Sequence, residues 1–292
     1  MKVHFPCWLT LVFLVLCLTV QGQRLHTLNF KSPEAMSAYF KYDPAKRIIS
    51  GHRGTIEAGM PENSIPALKK VLQHYPAIFE VDPRYTKDGV AVMVHDASLE
   101  RTTTGQGKVA DYTWKELKKL RLKDKDGKAT AYKINTLDEM IRWAKGKTIL
   151  NLDKKDLPLA DAAAIIRKHQ AYAWVWVTVH TVAEAQFFMD QDPRHFLSLH
   201  IRDEKSLAEL KASGLPYSQM IVYIGPHIKA ENQALYAFFK SKGVMCMLST
   251  ASSYDKLETV DARAEKYKAV FADGASILES DFPIEVSQAL KP

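Results

Sequence analysis

The sequence predicts a (β/α)8 barrel of the TIM type, and two observations lead to this prediction. Short apolar runs alternate with segments of helical periodicity, which is the pattern of a parallel sheet whose strands are joined by helices. Eight such runs are present, and eight strands close a parallel sheet into a barrel. The length of 292 residues fits one barrel or two smaller domains, so the alternation decides between them.

The alternation also places each element along the chain. The expected strands are residues 47–51, 78–81, 148–152, 174–179, 196–199, 220–224, 244–248 and 269–271. The expected helices are residues 64–74, 157–169, 182–190, 204–213, 231–242 and 254–266. Asn63 or Ser64 is expected to cap the first of these helices, because Pro66 falls in its first turn.

A hairpin is expected directly after the second strand. The turn signal T-K-D-G at residues 86–89 leads into an apolar segment at residues 90–94. Only about nine residues separate Asp82 from Val92, whereas a parallel crossover needs a dozen or more. The segment must therefore double back outside the parallel ring. The long stretch that follows, about residues 97–135, is expected to be a small insertion over the mouth of the barrel.

Carboxylates gather at the end of the second strand. Glu80 and Asp82 stand two residues apart, so in a strand both side chains point to the same face. Asp153 ends the third expected strand, and parallel strands of a barrel end at one rim. Three carboxylates at one rim suit a single hard cation, Ca²⁺ or Mg²⁺, although salt-bridged rim acids are the alternative. Asp156 is a second candidate for the third ligand.

Two histidines and an arginine are predicted to join these acids. His52 ends the first strand, and the hairpin returns His95 to the same rim. Imidazole exchanges protons near neutral pH, so His52 and His95 are the candidate acid and base. Arg53 is suited to bidentate phosphate binding or to a rim salt bridge, and Glu62 is suited to orienting Arg53 or a histidine. The remaining histidines have no such neighbours in the sequence.

A series of ordered sequence blocks gives these residues a family context. The blocks are GHRG, PENS, E-x-D, T-K-D-G, VHD, LERTTTGQG, TLDEM, LNLDKK and ADG…SDFP. In this order and spacing they resemble the glycerophosphodiester phosphodiesterase family, over essentially the whole chain after residue 45. The resemblance implies a role for Lys155 in offsetting phosphate charge and a substrate-selecting role for the insertion. It also exposes a departure, because the family usually has Glu where this chain has Asp153.

The resemblance implies a reaction as well as a fold. A glycerophosphodiester would be hydrolysed to sn-glycerol 3-phosphate and an alcohol with the help of one divalent cation. His52 is assigned as base and His95 as acid, and the reverse assignment stays open. Two rival hypotheses remain: a phospholipase D-like enzyme for lysolipids or sphingolipids, and a secreted binding protein that has lost catalysis. A broad apolar mouth would favour lipids, whereas a narrow polar mouth would favour deacylated substrates.

The N-terminus and the composition suggest where the protein acts and what it binds. Residues 1–22 read as a cleaved signal peptide, with an uncleaved anchor as the alternative, which leaves residues 23–292 as one exported domain. The expected destination is the periplasm or the extracellular space, without stable membrane insertion after cleavage. The net charge of +7 fits phosphate-bearing substrates, anionic lipid surfaces or simply a basic protein surface, and the dispersion of the lysines disfavours a nucleic-acid groove. Cys246 is then the single mature cysteine and is expected to be a core residue.

Overall fold

The computed structural model describes residues 24–291, which form a closed parallel barrel with helices around it. The barrel confirms the predicted fold class. The predicted signal peptide, residues 1–22, lies outside the described residues, so both the signal and the domain limits stay predictions. Within residues 24–291 no helix has both the length and the apolar character that crossing a bilayer requires.

The strands and helices of this part of the chain alternate as follows. The strands are β1 (Ile48–His52), β2 (Ile78–Val81), β3 (Pro83–Tyr85), β4 (Ala91–Met93), β5 (Leu150–Leu152), β6 (Val175–Val179), β7 (Leu197–His200), β8 (Met220–Gly225), β9 (Cys246–Ser249) and β10 (Ile277–Ser280). The α-helices are α1 (Pro33–Tyr39), α2 (Ile65–Leu72), α3 (Trp114–Leu117), α4 (Leu137–Ala144), α5 (Leu159–His169), α6 (Val182–Gln191), α7 (Glu204–Ser213), α8 (Asn232–Ser241), α9 (Val260–Asp273) and α10 (Pro283–Ala289).

The strand order explains how distant segments meet. Around the barrel the order is β1, β10, β9, β8, β7, β6, β5 and β2, and every neighbouring pair is parallel. The first strand, β1, therefore pairs with both β2 and the last strand, β10. Strands β3 and β4 form a separate antiparallel pair in which Tyr85 faces Ala91, which confirms the predicted hairpin outside the ring.

The prediction for the eighth strand was wrong. Residues 269–271 belong to α9, and the strand is β10, residues 277–280. Val270 and Phe271 are buried because they lie, with Tyr267, on the inward face of a helix, so a short apolar run there imitates a strand. Helix α9 is also shifted from the expected residues 254–266, because Thr259 caps its N-terminus.

The inside of the barrel has an apolar lower part and a polar upper part. Helix α1, which the sequence reading did not predict, closes the lower end, where Phe40 packs edge-on against Trp176 with ring centroids 4.5 Å apart. Alternate residues further along the strands are polar and form the floor of the upper part: Ser50, Asn151, Thr178, Ser198, Ser249 and Glu279. The fold thus separates a stabilising end of the barrel from an end that can hold polar ligands.

The insertion has its own small core beside the upper rim. Seven buried side chains form this core: Val92, Val94, Leu99, Val109, Leu117, Leu122 and Ile134. Helix α3 lies within the insertion, and Thr113 and Glu116 form a capping box at its start. Asp124 ties the insertion to the loop after β1, because its Oδ2 accepts a hydrogen bond from the Gly59 amide at 2.9 Å. The insertion is therefore anchored next to the barrel mouth.

Candidate active site at the upper rim of the barrel

The register of neighbouring strands brings the predicted acids and His52 to the same height along the barrel axis. His52 is the last residue of β1 and pairs in register with Glu80 of β2, and Glu80 pairs with Asn151 of β5. Asp82 and Asp153 each follow directly after a strand. Because all three strands are parallel and adjacent, their carboxyl ends meet at the same rim.

Glu80, Asp82 and Asp153 form a tight carboxylate cluster. One oxygen from each residue lies within 4.8 Å of the other two. Glu80 is 6% exposed and Asp82 is 1% exposed, so water offers little compensation for their charge. Burial raises the pKa of Glu80 well above its usual range, and the neighbouring charges of Asp82 and Asp153 raise it further.

Asp82 shows that the cluster fits a divalent cation. Burial raises its pKa, but the charges of Arg53 and Lys155 and a hydrogen bond from Asn63 outweigh burial and lower it overall. Its Oδ1 atom is nonetheless buried without a well-directed hydrogen bond, although Lys155 Nζ lies 3.2 Å away. The three carboxylates, two of them buried, offer only oxygen ligands, and one of these oxygens lacks a directed hydrogen bond. Ca²⁺ and Mg²⁺ prefer oxygen ligands of this kind.

The alternative third ligand, Asp156, is not part of the cluster. Its carboxylate is 46% exposed and forms a 2.6 Å ion pair with Arg84. Asp153 instead meets Lys155, whose Nζ lies 2.6 Å from Asp153 Oδ2. Lys155 thus contacts two members of the cluster as their counter-ion, and its predicted role in phosphate binding stays a prediction.

Arg53 and Glu62 lie beside the cluster. Arg53 Nε is 3.3 Å from Asp82 Oδ2, and Arg53 Nη1 is 3.3 Å from Glu62 Oε1. The Arg53 backbone has φ 56°, an unusual left-handed conformation for this residue type, and its amide donates to the Glu80 carbonyl at 3.0 Å. Glu62 therefore contacts Arg53, while its role in orienting Arg53 and phosphate binding by Arg53 both stay predictions.

His52 forms a dyad with a carboxylate that the sequence reading did not assign. Its Nδ1 lies 2.7 Å from Oδ1 of Asp281, the residue after β10. Burial alone would lower the pKa of His52, but the Asp281 hydrogen bond and the charge of Glu279 outweigh burial and raise it. With Nδ1 committed to Asp281, Nε2 is the ring atom left for proton exchange. This Nε2 lies 3.9 Å from Glu80 Oε2, so it is close to the acid cluster.

His95 forms a second dyad of the same kind. Its Nδ1 lies 2.7 Å from Asp96 Oδ1, and Arg101 donates to both oxygens of Asp96 at 2.6 and 2.9 Å. The hydrogen bonds from Arg101 hold the pKa of Asp96 well below its usual range. Arg101 also binds both oxygens of Glu62, at 2.7 and 2.9 Å. Glu62 is thereby connected through Arg101 and Asp96 to His95, as well as directly to Arg53.

Asn63 fixes the position of Asp82. Its Nδ2 donates to Asp82 Oδ2 at 2.7 Å, and its Oδ1 accepts from the Asp82 amide at 2.9 Å. Asn63 has φ 54°, a left-handed conformation that asparagine tolerates better than most residues. Ser64, one of the two predicted caps of α2, accepts a hydrogen bond from the Ala67 amide. The block PENS therefore combines an Asp82 clamp with a helix cap.

Replacing Asn63 with glycine is expected to loosen Asp82 without adding backbone strain, because glycine also accepts a positive φ. The buried Asp82 amide loses its acceptor, which costs about 1–3 kcal/mol of the free energy of unfolding. Cation affinity is expected to fall about 10- to 100-fold, as for other residues that orient a ligand. Urea unfolding and calorimetric titration with Ca²⁺ or Mg²⁺ measure the two effects. The exposed Asn29, changed to glycine, is the control, and an unchanged cation affinity in Asn63→Gly would contradict the clamp.

A cavity of about 540 Å³ opens above these residues. Its lining includes His52, Arg53, Glu80 and Asp153, and also four side chains that sequence reasoning missed: Glu279, His200, Arg202 and Tyr223. No motif surrounds His200 in the sequence. It is, however, the last residue of β7, so the rule that barrel sites lie at strand ends offered a signal. Glu279 and Asp281 lie within or next to β10, and the misplaced eighth strand hid that signal.

Comparison with known proteins identifies the family of this chain. The model of the glycerophosphoryl diester phosphodiesterase family matches residues 52–291. A glycerophosphodiester phosphodiesterase of Caldanaerobacter subterraneus is 38% identical over 106 residues, which cover 36% of this chain and 43% of that relative. Human glycerophosphodiester phosphodiesterase 1 is 31% identical over 97 residues, which cover 33% of this chain and 29% of the human protein. The chain thus aligns with less than half the length of these two curated relatives.

Solved structures extend the similarity over most of the chain. A glycerophosphoryl diester phosphodiesterase from Parabacteroides distasonis has a TM-score of 0.90 and 44% identity, covering 91% of this chain and 94% of that protein. A phosphodiesterase of Oleispira antarctica, solved with the product sn-glycerol-3-phosphate, has a TM-score of 0.65 and 19% identity, covering 87% and 98%. At that lower identity the second similarity concerns the fold alone.

Proposed function

Because this chain belongs to the glycerophosphoryl diester phosphodiesterase family, we propose that it hydrolyses glycerophosphodiesters to sn-glycerol 3-phosphate and an alcohol. One observation carries the proposal: two histidines, each with Nδ1 on an aspartate, lie at the same rim as a cluster of three carboxylates. This arrangement supplies two proton-exchanging groups and a cation site, which phosphodiester hydrolysis can use together.

Glu80, Asp82 and Asp153 are the residues that would hold one divalent cation, Ca²⁺ or Mg²⁺. When bound, the cation supplies positive charge to the phosphoryl oxygens and a binding point for the glycerol hydroxyls. Arg53 and Lys155 lie against the same carboxylates, so their charges are close enough to bind the phosphate as well. Asp153 is one methylene shorter than the glutamate usual in the family, yet it reaches the cluster.

The two dyads account for the proton transfers. His52 Nε2 takes the proton from the attacking hydroxyl, and His95 delivers a proton to the leaving alkoxide. By analogy with the family, the attacking group is the 2-hydroxyl of the substrate's own glycerol. The P–O bond to the alcohol breaks as a cyclic phosphate forms, and water then opens the ring. In the second step the histidines exchange roles, which returns both to their starting protonation states.

The polarity of the cavity supports a deacylated substrate over a lysolipid. Most of the residues that line it have charged or polar side chains, among them Arg53, Arg101, Arg202 and Lys256. Within residues 24–291 the one large hydrophobic side chain that is exposed is Val260, at the start of α9. A lipid tail would need an apolar surface at the mouth, as in other lipid-binding sites. The intact dyads likewise support an enzyme over a binding protein without catalysis.

The test is release of sn-glycerol 3-phosphate by the full chain from glycerophosphocholine, glycerophosphoethanolamine and glycerophosphoinositol. We expect release with Ca²⁺ or Mg²⁺, and its loss with EDTA, because the cluster depends on a cation for charge balance. The better of the two ions identifies the cofactor. Absence of release from all three substrates, from protein with a cooperative unfolding transition, would reject the proposed reaction. Release from lysolipids in that case would establish the phospholipase D-like alternative.

A further inference from the structure

Three side chains on the far side of the cavity have no role in the reaction described above. His200 ends β7, Arg202 follows two residues later, and Tyr223 lies in β8. Around the barrel β7 stands four places from β1 in either direction, which is the largest separation that an eight-stranded ring allows. All three side chains line the same 540 Å³ cavity as His52 and Glu80. They therefore face the part of a bound substrate that lies away from the dyads.

Arg202 brings an uncompensated positive charge to this side. Its guanidinium lies over the Tyr223 ring, 5.0 Å from the ring centroid, and its Nη2 lies 2.8 Å from His200 Nδ1. Within residues 24–291 no carboxylate comes within 4.0 Å of Arg202. An arginine held in place by two rings but without an acidic partner is suited to an anionic ligand.

His200 adds a directed donor beside Arg202. A guanidinium can only donate, so His200 Nδ1 must accept the hydrogen bond and the ring proton of the neutral form sits on Nε2. The His200 ring is further held by contacts with two tilted rings, with centroid distances of 4.4 Å to His180 and 4.5 Å to Tyr223. Burial, with the nearby His180 and Arg202, lowers the pKa of His200 to about 3, so the ring is neutral at pH 7. This pair of side chains therefore offers hydrogen-bond donors.

The same arrangement disfavours a quaternary ammonium group. Proteins bind choline through the faces of aromatic rings, and among Phe, Tyr and Trp side chains only Tyr223 lines the described cavity. Arg202 already lies over that ring, and the His200 ring contacts it at a tilt of 45°. A choline group would have to displace the protein's own cation and would meet its repulsion.

We propose that Arg202 and His200 form a leaving-group subsite that binds an anionic substituent on the alcohol of the substrate. Phosphorylated alcohols, such as inositol phosphates, are then preferred over choline. The inference rests on the proposed function, in which the cation cluster and the dyads hold the phosphodiester and the glycerol half near β1, β2 and β5. The oxygen of the alcohol must lie beside His95, which protonates it, so the far end of the alcohol is the part left to reach β7 and β8. The subsite therefore predicts which class of substrate the cavity prefers.

The experiment compares kcat/KM for glycerophosphoinositol, glycerophosphoinositol 4-phosphate and glycerophosphocholine, in the wild type and in Arg202→Gln. These first two substrates differ by one phosphate group on the alcohol. We expect the wild type to prefer the phosphorylated substrate at least tenfold. Arg202→Gln should lose about 10- to 100-fold on that substrate, the effect of removing a charge-assisted hydrogen bond, and less than about threefold on the other two. Arg167→Gln, on the exposed face of α5, is the matched control for charge and should change none of the three values.

Equal losses on all three substrates would overturn the subsite, because Arg202 would then act on the phosphodiester that they share. A wild-type preference for glycerophosphocholine would overturn it too. If the wild type hydrolyses none of the substrates, the proposed function fails. The subsite is then tested by ligand binding alone. Calorimetric titration with inositol 4-phosphate alone should then show binding that is weakened at least tenfold in Arg202→Gln. No binding by the wild type, or equal binding by both proteins, would reject the subsite.

Discussion

Glu80→Gln is expected to abolish cation-dependent hydrolysis and, at the same time, to stabilise the cation-free protein. Three carboxylates crowd together at the rim, and two of them are buried. Without a cation this arrangement is unfavourable, because burial and the neighbouring charges of Asp82 and Asp153 raise the pKa of Glu80 well above its usual range. Removing one charge relieves the repulsion, but it also removes a ligand. Hydrolysis should fall by about 10³-fold or more, because several kcal/mol of charge stabilisation depend on the bound cation.

Thermal unfolding in EDTA and in excess Ca²⁺ or Mg²⁺ measures both halves of this prediction. In EDTA the variant should unfold at a higher temperature than the wild type. With the cation present at about 100 times its Kd, the wild type should gain about 2.7 kcal/mol, and the variant should gain little. The exposed Glu209 on α7, changed to glutamine, is the matched control and should behave as the wild type in both conditions.

The pH dependence of stability in EDTA tests independently whether ionisation of Glu80 destabilises the cation-free protein. The raised pKa of Glu80 means that the folded protein keeps its proton to a higher pH than the unfolded chain does. The stability of the cation-free wild type should therefore decrease as the pH rises from the unfolded pKa through the folded one. Glu80→Gln should flatten this dependence. Cation-dependent stabilisation that persists in Glu80→Gln would show that the cation binds elsewhere, and the cluster would lose its proposed role.

The part of the site that the sequence could predict depends on the spacing of neighbouring residues along the chain. A parallel strand fixes which face each side chain takes and at which rim the strand ends. The spacing of Glu80 and Asp82, and the position of Asp153 after an apolar run, were therefore enough to place three carboxylates together. The hairpin followed from chain length alone, because the connection is too short for a crossover. Each of these inferences needs only the residues on either side.

The residues that the sequence could not assign depend on closure of the ring. Asp281 is 229 positions from His52 along the chain, and the two meet only because β10 pairs with β1. Residues 269–271 resemble a strand in the sequence because a buried helix face can contain a short apolar run, whereas the true strand carries the polar Glu279. Arg202 lacked any motif, since its significance comes from the Tyr223 ring on the next strand. Pairing partners of this kind become visible only in three dimensions.

Asparagine in place of His52 or His95 is expected to slow hydrolysis of glycerophosphoinositol by about 10²- to 10⁴-fold, which is the usual contribution of a positioned acid or base. Each histidine holds an aspartate through Nδ1 and leaves Nε2 for proton exchange. Asparagine keeps a hydrogen-bonding side chain of similar size but cannot take up a proton near neutral pH. The exposed His74, changed to asparagine, is the control and should leave the rate unchanged.

A substrate with an activated leaving group separates the two roles. In the p-nitrophenyl ester of glycerol 3-phosphate the leaving phenolate is stable without a proton, so loss of the general acid matters little. If His95 is the acid, His95→Asn should recover most of the wild-type rate on this ester, whereas His52→Asn should stay slow because the attacking hydroxyl still needs a base. The opposite pattern would assign His52 as acid and His95 as base. In an acid/base pair one histidine protonates the leaving alkoxide, so loss of that histidine should matter less on the activated ester. Equal defects of both variants on both substrates would therefore contradict the acid/base pair itself.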